Sequence, residues 1–110
     1  MSKYTFQPEL AHESVLIARG AIVVGDVHLA EQVSIWFNAV LRGDTDTLHI
    51  AARTNIQDLC MVHADPGFPV HIGPDCTIGH RAIIHGAKVG ASTLVGMGAI
   101  LLNGVQVGDE

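Results

Sequence analysis

Aliphatic residues recur in this chain at steps of six. They fall at Leu29, Ile35 and Leu41, at Ile50, Ile56 and Val62, at Ile72, Ile78 and Ile84, and at Val89, Val95, Leu101 and Val107. Between these groups the step becomes nine, ten and then five. The two long steps predict loops inserted around residues 43–48 and 64–70, and the short one a one-residue deletion after Ile84. A second series, mostly small, stands two residues before each aliphatic and includes Ala39, Thr54, Cys60, Cys76, Ala82 and Thr93. Side chains alternate sides along a strand, so both series point inward. The position after the aliphatic is often glycine, at Gly73, Gly79, Gly90, Gly96 and Gly108, as a sharp corner favours. With 12 glycines and only 5% aromatic residues, the chain suits a tightly turned all-β structure rather than a core built around large rings.

A hexapeptide repeat of this kind resembles the left-handed parallel β-helix family, in which the chain winds as a triangular prism with three hexads per coil. The left hand comes with the resemblance, since parallel crossovers are ordinarily right-handed. The 110 residues read as a single domain, with 1–14 as a lead-in and 15–110 as hexapeptide coils. The last hexads break off at "VQVGDE", in mid-coil, so a C-terminally truncated prism with an open last edge is expected.

With three hexads per coil, every third hexad stacks about 4.8 Å above the last, the spacing of parallel strands. Corner residues then fall into columns. One reads Arg42, His63, His85, Leu102; a second reads Trp36, Gln57, Gly79, Gly96, with Asp58 and His80 one residue further along. His63 and His85 therefore sit on neighbouring coils of one column, within reach of one metal ion. His80 lies on the preceding corner. Five extended residues span about 16 Å, too far for His80 and His85 of one chain to ligate the same ion. A third histidine would have to come from another subunit, and a three-fold trimer supplies it. His28, His49 and His71 form another outward column, on the third face. A line of three at strand spacing does not converge as a tetrahedral site requires, so these read as exposed or interface polar residues. His12 precedes the clear repeat and carries no signal.

The formal net charge is −5 and no basic run occurs, so a nucleic-acid partner is not expected. The opening "MSKYTFQPEL" has no apolar stretch behind its lysine, and no run of about 18 apolar residues follows. Neither a secretory signal nor a membrane span is expected, and the location read from this is cytoplasmic. Cys60 and Cys76 form no C-x-x-C pair and read as reduced, inward fillers.

The motifs "LRGDTDT", "TNIQD", "MVHAD" and "IGHRAIIHG", in that order and spacing, resemble the γ-class carbonic anhydrases and their bacterial relatives. The resemblance implies a homotrimer with a metal ion at each subunit interface, held by His63 and His85 of one chain and His80 of its neighbour. It implies an interface salt-bridge cluster of Arg42, Asp44 and Asp58, a Gln57 that hydrogen-bonds the metal-bound hydroxide, and an Asn55 that supports the pocket. It implies zinc (Zn2+), with Fe2+ or Co2+ suited to the same nitrogens. Three neutral imidazoles leave such an ion its double charge and an open position for water, whose pKa falls to about 7. The implied activity is the reversible hydration of CO2 to bicarbonate, after which a proton must leave for solvent.

Archaeal members of that family carry glutamates in two acidic loops that serve proton transfer. Thr45 and Pro66 stand near those positions here, with Asp65 as the available stand-in. The alternative reading is therefore a non-catalytic, metal-binding trimeric scaffold of the same family. A third, a hexapeptide acyltransferase, would use a single loop histidine as base beside a coenzyme A groove. The paired corner histidines argue against it.

Overall fold

Two inward-facing side chains per hexad leave the backbone one economical course, around a narrow core and back over itself. The structure, a computed structural model, describes residues 2–110. After a 3-10 turn at Pro8–Leu10, the strands are β1 (Leu16–Ile17), β2 (Ile22–Leu29), β3 (Ser34–Ile35), β4 (Val40–Ile50), β5 (Asn55–Ile56), β6 (Met61–His63) and β7 (Val70–Ile72). They continue as β8 (Thr77–Ile78), β9 (Ile83–His85), β10 (Lys88–Val89), β11 (Leu94–Val95), β12 (Ile100–Leu101) and β13 (Gln106–Val107). The first face stacks β1, β3, β5, β8 and β11 in that order, all parallel. The second face holds the leading parts of β2 and β4, then β6, β9 and β12; the third holds their trailing parts, then β7, β10 and β13. This is the all-β, left-handed parallel β-helix expected from the repeat. Among the described residues no helix is long and apolar enough to cross a membrane.

Both inward series are buried as far as Val95, beyond which Ala99, Leu101 and Val107 are half-buried and Val105 is exposed. Ile35, Leu41, Ile56, Ile78 and Ile84 are wholly enclosed, with Ala39, Cys60, Cys76 and Ala82 filling the space beside them. Each large aliphatic stabilises the prism by about 1.5–3 kcal/mol. Buried Thr54 is satisfied, because its hydroxyl donates to the Gly73 carbonyl at 2.6 Å and accepts from the Cys76 amide at 3.0 Å. Both thiols are free, and burial pushes the Cys60 thiol up from its ordinary range.

Two local expectations need correction. Residues 43–48 are not a loop, because β4 runs unbroken from the second face to the third and β2 follows it with one register shift between Gly25 and Val27. The 64–70 insertion, by contrast, is the loop expected, with a turn closed by a bridge between Asp65 and Phe68. The corner glycines also have a different cause. Positive φ is carried two residues later, by Asn38, Arg53, Leu59, Asp75, Arg81 and Ser92. Gly73 and Gly79 are needed for close approach instead. A Cβ on Gly73 would lie 2.8 Å from the Ala91 nitrogen, and one on Gly79 would lie 2.7 Å from the Met97 nitrogen.

The faces differ on the outside. The first presents Leu16, Ser34, Asn55, Thr77 and Leu94 in register. The second presents only apolar residues, Ile22, Val40, Met61, Ile83 and Ile100. The third presents His28, His49, His71, Lys88 and Gln106.

Candidate metal centre

β6 and β9 end on the corner between the second and third faces, and their last residues, His63 and His85, are register partners. The rings meet edge to face, with centroids 5.1 Å apart and planes at 70°. This turns His63 Nδ1 toward His85 Nε2 at 3.2 Å. Two nitrogens that share a tetrahedral ion at about 2.0–2.1 Å stand about 3.3–3.4 Å apart, so the pair has the spacing of two zinc ligands.

The outer nitrogens are anchored. His63 Nε2 lies 2.7 Å from Asp44 Oδ1, and His85 Nδ1 lies 2.8 Å from Asn103 Oδ1. An ionised carboxylate only accepts, so His63 carries its proton on Nε2 and keeps a lone pair on Nδ1. Such a carboxylate behind a ligating imidazole orients the ring and raises its basicity. Burial alone would push the Asp44 carboxyl up. The His63 hydrogen bond and the Arg42 charge outweigh it and hold Asp44 below the usual carboxylate range. Arg42 Nη1 stands 3.3 Å from Asp44 Oδ2, with its side chain 42% exposed on the corner.

The remaining expected residues lie on another edge. Backbone bonds stack Phe37, Asp58 and His80 on the corner between the first and second faces, with Leu59 N donating to Phe37 O and Arg81 N to Asp58 O. His80 is exposed and Asp58 half-buried. Beside them Gln57 Nε2 donates to Asn55 Oδ1 at 3.2 Å, and Asn55 Nδ2 donates to Thr77 Oγ1 at 3.1 Å. One chain thus brings Arg42, Asp44, His63 and His85 together and holds Asn55, Gln57, Asp58 and His80 apart from them. Among the described residues of one chain, no three His, Cys, Asp or Glu side chains converge as a complete metal site.

The third-face histidines stack instead of converging. His28 and His49 lie 4.4 Å apart at 16°, and His49 and His71 lie 4.8 Å apart at 2°. They border an open groove of about 480 Å³. Burial lowers the His49 pKa, and the neighbouring His28 and His71 lower it further, against a smaller upward pull from Asp26.

No protein-family model matches the chain. Among curated proteins it is 47% identical over 89 residues to a probable carbonic anhydrase of Methanocaldococcus jannaschii, covering 81% of this chain and 56% of that one. It is 42% identical over 104 residues to the mitochondrial gamma carbonic anhydrase 1 of Arabidopsis thaliana, covering 89% of this chain and 38% of the other. The chain belongs to the family of γ-class carbonic anhydrases and their hexapeptide-repeat relatives. It spans about half the length, or less, of these two family members. Among solved structures it superposes on a hexapeptide transferase family protein from Anaplasma phagocytophilum with a TM-score of 0.70 at 29% identity, covering 87% of this chain and 70% of that one.

Against this family background, the sequence reading missed Asn103. It stands one coil beyond His85, at a separation of 18 residues, on an otherwise apolar and glycine-rich corner. The signal was present in the deletion after Ile84. That deletion leaves Gly86 with φ +62 beneath Asn103, where a side chain would collide with the Asn103 amide. Asp65 is not a free loop acid, because its Oδ2 accepts from Asn103 Nδ2 at 2.8 Å. The Thr45 hydroxyl is also engaged, donating to the Ala64 carbonyl.

Proposed function

We propose that the chain forms a homotrimer with a divalent ion, zinc by default, at each interface, and that it interconverts CO2 and bicarbonate. The observation that carries this reading is the pair of inner nitrogens on His63 and His85, 3.2 Å apart and each backed by a fixed partner. The second face supports the trimer. Its apolar column separates the corner bearing His63 and His85 from the corner bearing His80. A shallow hollow of about 430 Å³ beside His80 is lined by Ile83, Met97 and Ile100. Burying this face against a neighbour brings His80 of one chain toward His63 and His85 of the next. It also brings Asp58 toward Arg42, whose guanidinium then serves two carboxylates across the interface.

When bound, the ion supplies a hydroxide nucleophile from water at about pH 7. The side chains do the rest. Asp44 holds the His63 ring with its Nε2 proton outward. Gln57 spends its amide N–H on Asn55, which leaves Oε1 to accept a hydrogen bond from the O–H of the nucleophile and aim it. The free buried thiols Cys60 and Cys76 fit a reducing compartment such as the cytoplasm. A second reading, a metal-binding trimer without hydratase activity, is favoured by Thr45, whose engaged hydroxyl offers no carboxylate for carrying protons away. Stopped-flow CO2 hydration by the zinc-loaded chain separates the two.

Mixed trimers test the shared site. His80→Ala and His85→Ala should each abolish zinc binding. Refolded together, they should regain one site in every mixed trimer. Going round the three-fold axis, a His80-deficient chain precedes a His85-deficient one once. No recovery, with trimers confirmed by sedimentation, overturns the division of ligands between chains.

A further inference from the structure

The His63–His85 pair has two possible protonation patterns, and only one can receive an ion. With the His85 proton on Nε2, that N–H donates across the 3.2 Å gap to His63 Nδ1, and each inner nitrogen is consumed by the other. With the proton on Nδ1, both inner nitrogens present lone pairs to the space between them. We propose that Asn103, oriented by Asp65, is the positioning residue that keeps His85 in the second pattern; the proposal rests on the metal-site reading above.

The polarity of the hydrogen bonds runs inward from a carboxylate. Ionised Asp65 has no proton to donate, so the amide group facing its Oδ2 at 2.8 Å must be the Asn103 NH2. That settles an orientation otherwise ambiguous for an asparagine. The Asn103 oxygen then faces His85 Nδ1 at 2.8 Å, and an amide oxygen can only accept. His85 must donate from Nδ1, which leaves the lone pair on Nε2. Asp44 imposes the mirror condition on His63 from the other end. The chain of bonds Asp44–His63 and Asp65–Asn103–His85 is therefore polarised from both ends. It leaves one place, between Nδ1 and Nε2, where two acceptors meet and a cation can be held. Asp65 Oδ1, 3.9 Å from His85 Nε2, adds negative potential there.

Local structure is arranged to allow this contact. Gly104 N donates to the Gly86 carbonyl at 2.9 Å, which docks the Asn103 corner onto the His85 corner. Gly86 has no side chain to obstruct the amide. On the other side Phe68 N donates to the Asp65 carbonyl at 2.9 Å, which closes the turn that presents the carboxylate.

The experiment reads the ring directly, as well as metal affinity. In the metal-free chain at about pH 8, above the ordinary histidine pKa of about 6.5, nitrogen-15 spectra of His85 should show the proton on Nδ1. Asn103→Leu should move His85 toward the Nε2–H form and weaken zinc binding about 10–100-fold, measured by competition with a chromophoric chelator. The exchange Asp65→Asn with Asn103→Asp keeps the polarity, since the inner carboxylate accepts from His85 and the outer amide donates to it. It should restore the Nδ1–H form and most of the affinity, which a loss of packing would not do. An Nε2–H His85 in the unsubstituted chain overturns the proposal, even if Asn103→Leu fails to fold. So does an Asn103→Leu protein with unchanged ring state and zinc affinity. If the metal reading alone is wrong, the unsubstituted chain binds no zinc, yet the ring signature still follows Asn103.

Discussion

The second and third faces share an inward design and diverge outside, and their histidines diverge with them. On the third face, stacking places His28, His49 and His71 in a ladder whose rings lie nearly parallel, at 16° and 2°. On the corner bordering the second face, the same stacking places His63 above His85, yet the rings stand at 70° and aim two nitrogens at one point. Stacking alone yields parallel imidazoles at strand spacing. Convergence needs a corner, where the backbone changes direction, and outer acceptors that rotate each ring. Asp44 and Asn103 supply them at the corner. On the ladder, His28 meets only Asp26 and His49 only Thr47, each from its own strand.

The largest effect should come from metal content. On the proposed division of ligands, His63→Ala removes one of three and should reduce zinc per chain to near zero by elemental analysis. His49→Ala should leave it unchanged. Equal losses in both variants would erase the distinction between corner and ladder.

Next in size is assembly. Met61→Asp puts a carboxylate in the middle of the apolar column, and desolvating it costs several kcal/mol per ion. A penalty of about 3 kcal/mol per interface corresponds to more than a hundredfold in dissociation constant. His71→Asp on the third face should leave sedimentation unchanged. A trimer that survives Met61→Asp at dilute concentration would place the interface elsewhere.

A smaller effect separates stacking, which both faces share, from what each face presents. Gly73→Ala drives a Cβ into the Ala91 and Gly90 backbones, and overpacking of this kind costs about 1–3 kcal/mol. Gly96 has open space beside it, so Gly96→Ala should stay within about 0.5 kcal/mol in urea denaturation. Equal costs would return the corner glycines to a conformational role.

How much of this the sequence shows follows from the period. Spacing by six places Leu41, Ile56 and Ile84 inside, pairs His63 with His85 and sets His80 on another corner, because stacking converts sequence offset into spatial adjacency. It fails where the period breaks. Residues 43–48 read as an inserted loop, yet they stay within one strand around the corner, and the residues that β2 does not match are taken up opposite Asp26, where the register shifts. Glycine after an aliphatic reads as a turn residue, whereas Gly73 and Gly79 answer to a neighbouring coil that no local pattern reveals. Asn103 was hidden for a similar reason. Its contact with Asp65 involves the 64–70 insertion, and the one-residue deletion after Ile84 puts Leu102 rather than Asn103 in the His85 column, so neither contact follows from the hexad count.

The smallest expected effect concerns the ladder itself. His49 has a folded pKa below the ordinary histidine value, first through burial and then through its neighbours His28 and His71. Below about pH 6.5 the unfolded chain therefore binds more protons at this position than the folded one. The contribution of neutral His49 to stability is complete above that value and is lost as the pH falls toward the folded pKa. His49→Gln removes the titrating group while leaving a polar side chain beside Thr47. Urea denaturation at pH 7.5 and 5.5 should show a smaller loss of stability on acidification in this variant than in the unsubstituted chain. Comparing the two losses cancels the carboxylates, which titrate in both proteins. If His49→Gln and the unsubstituted chain lose stability in parallel, the ladder's stacking carries no protonation penalty, and the third face is only a polar surface.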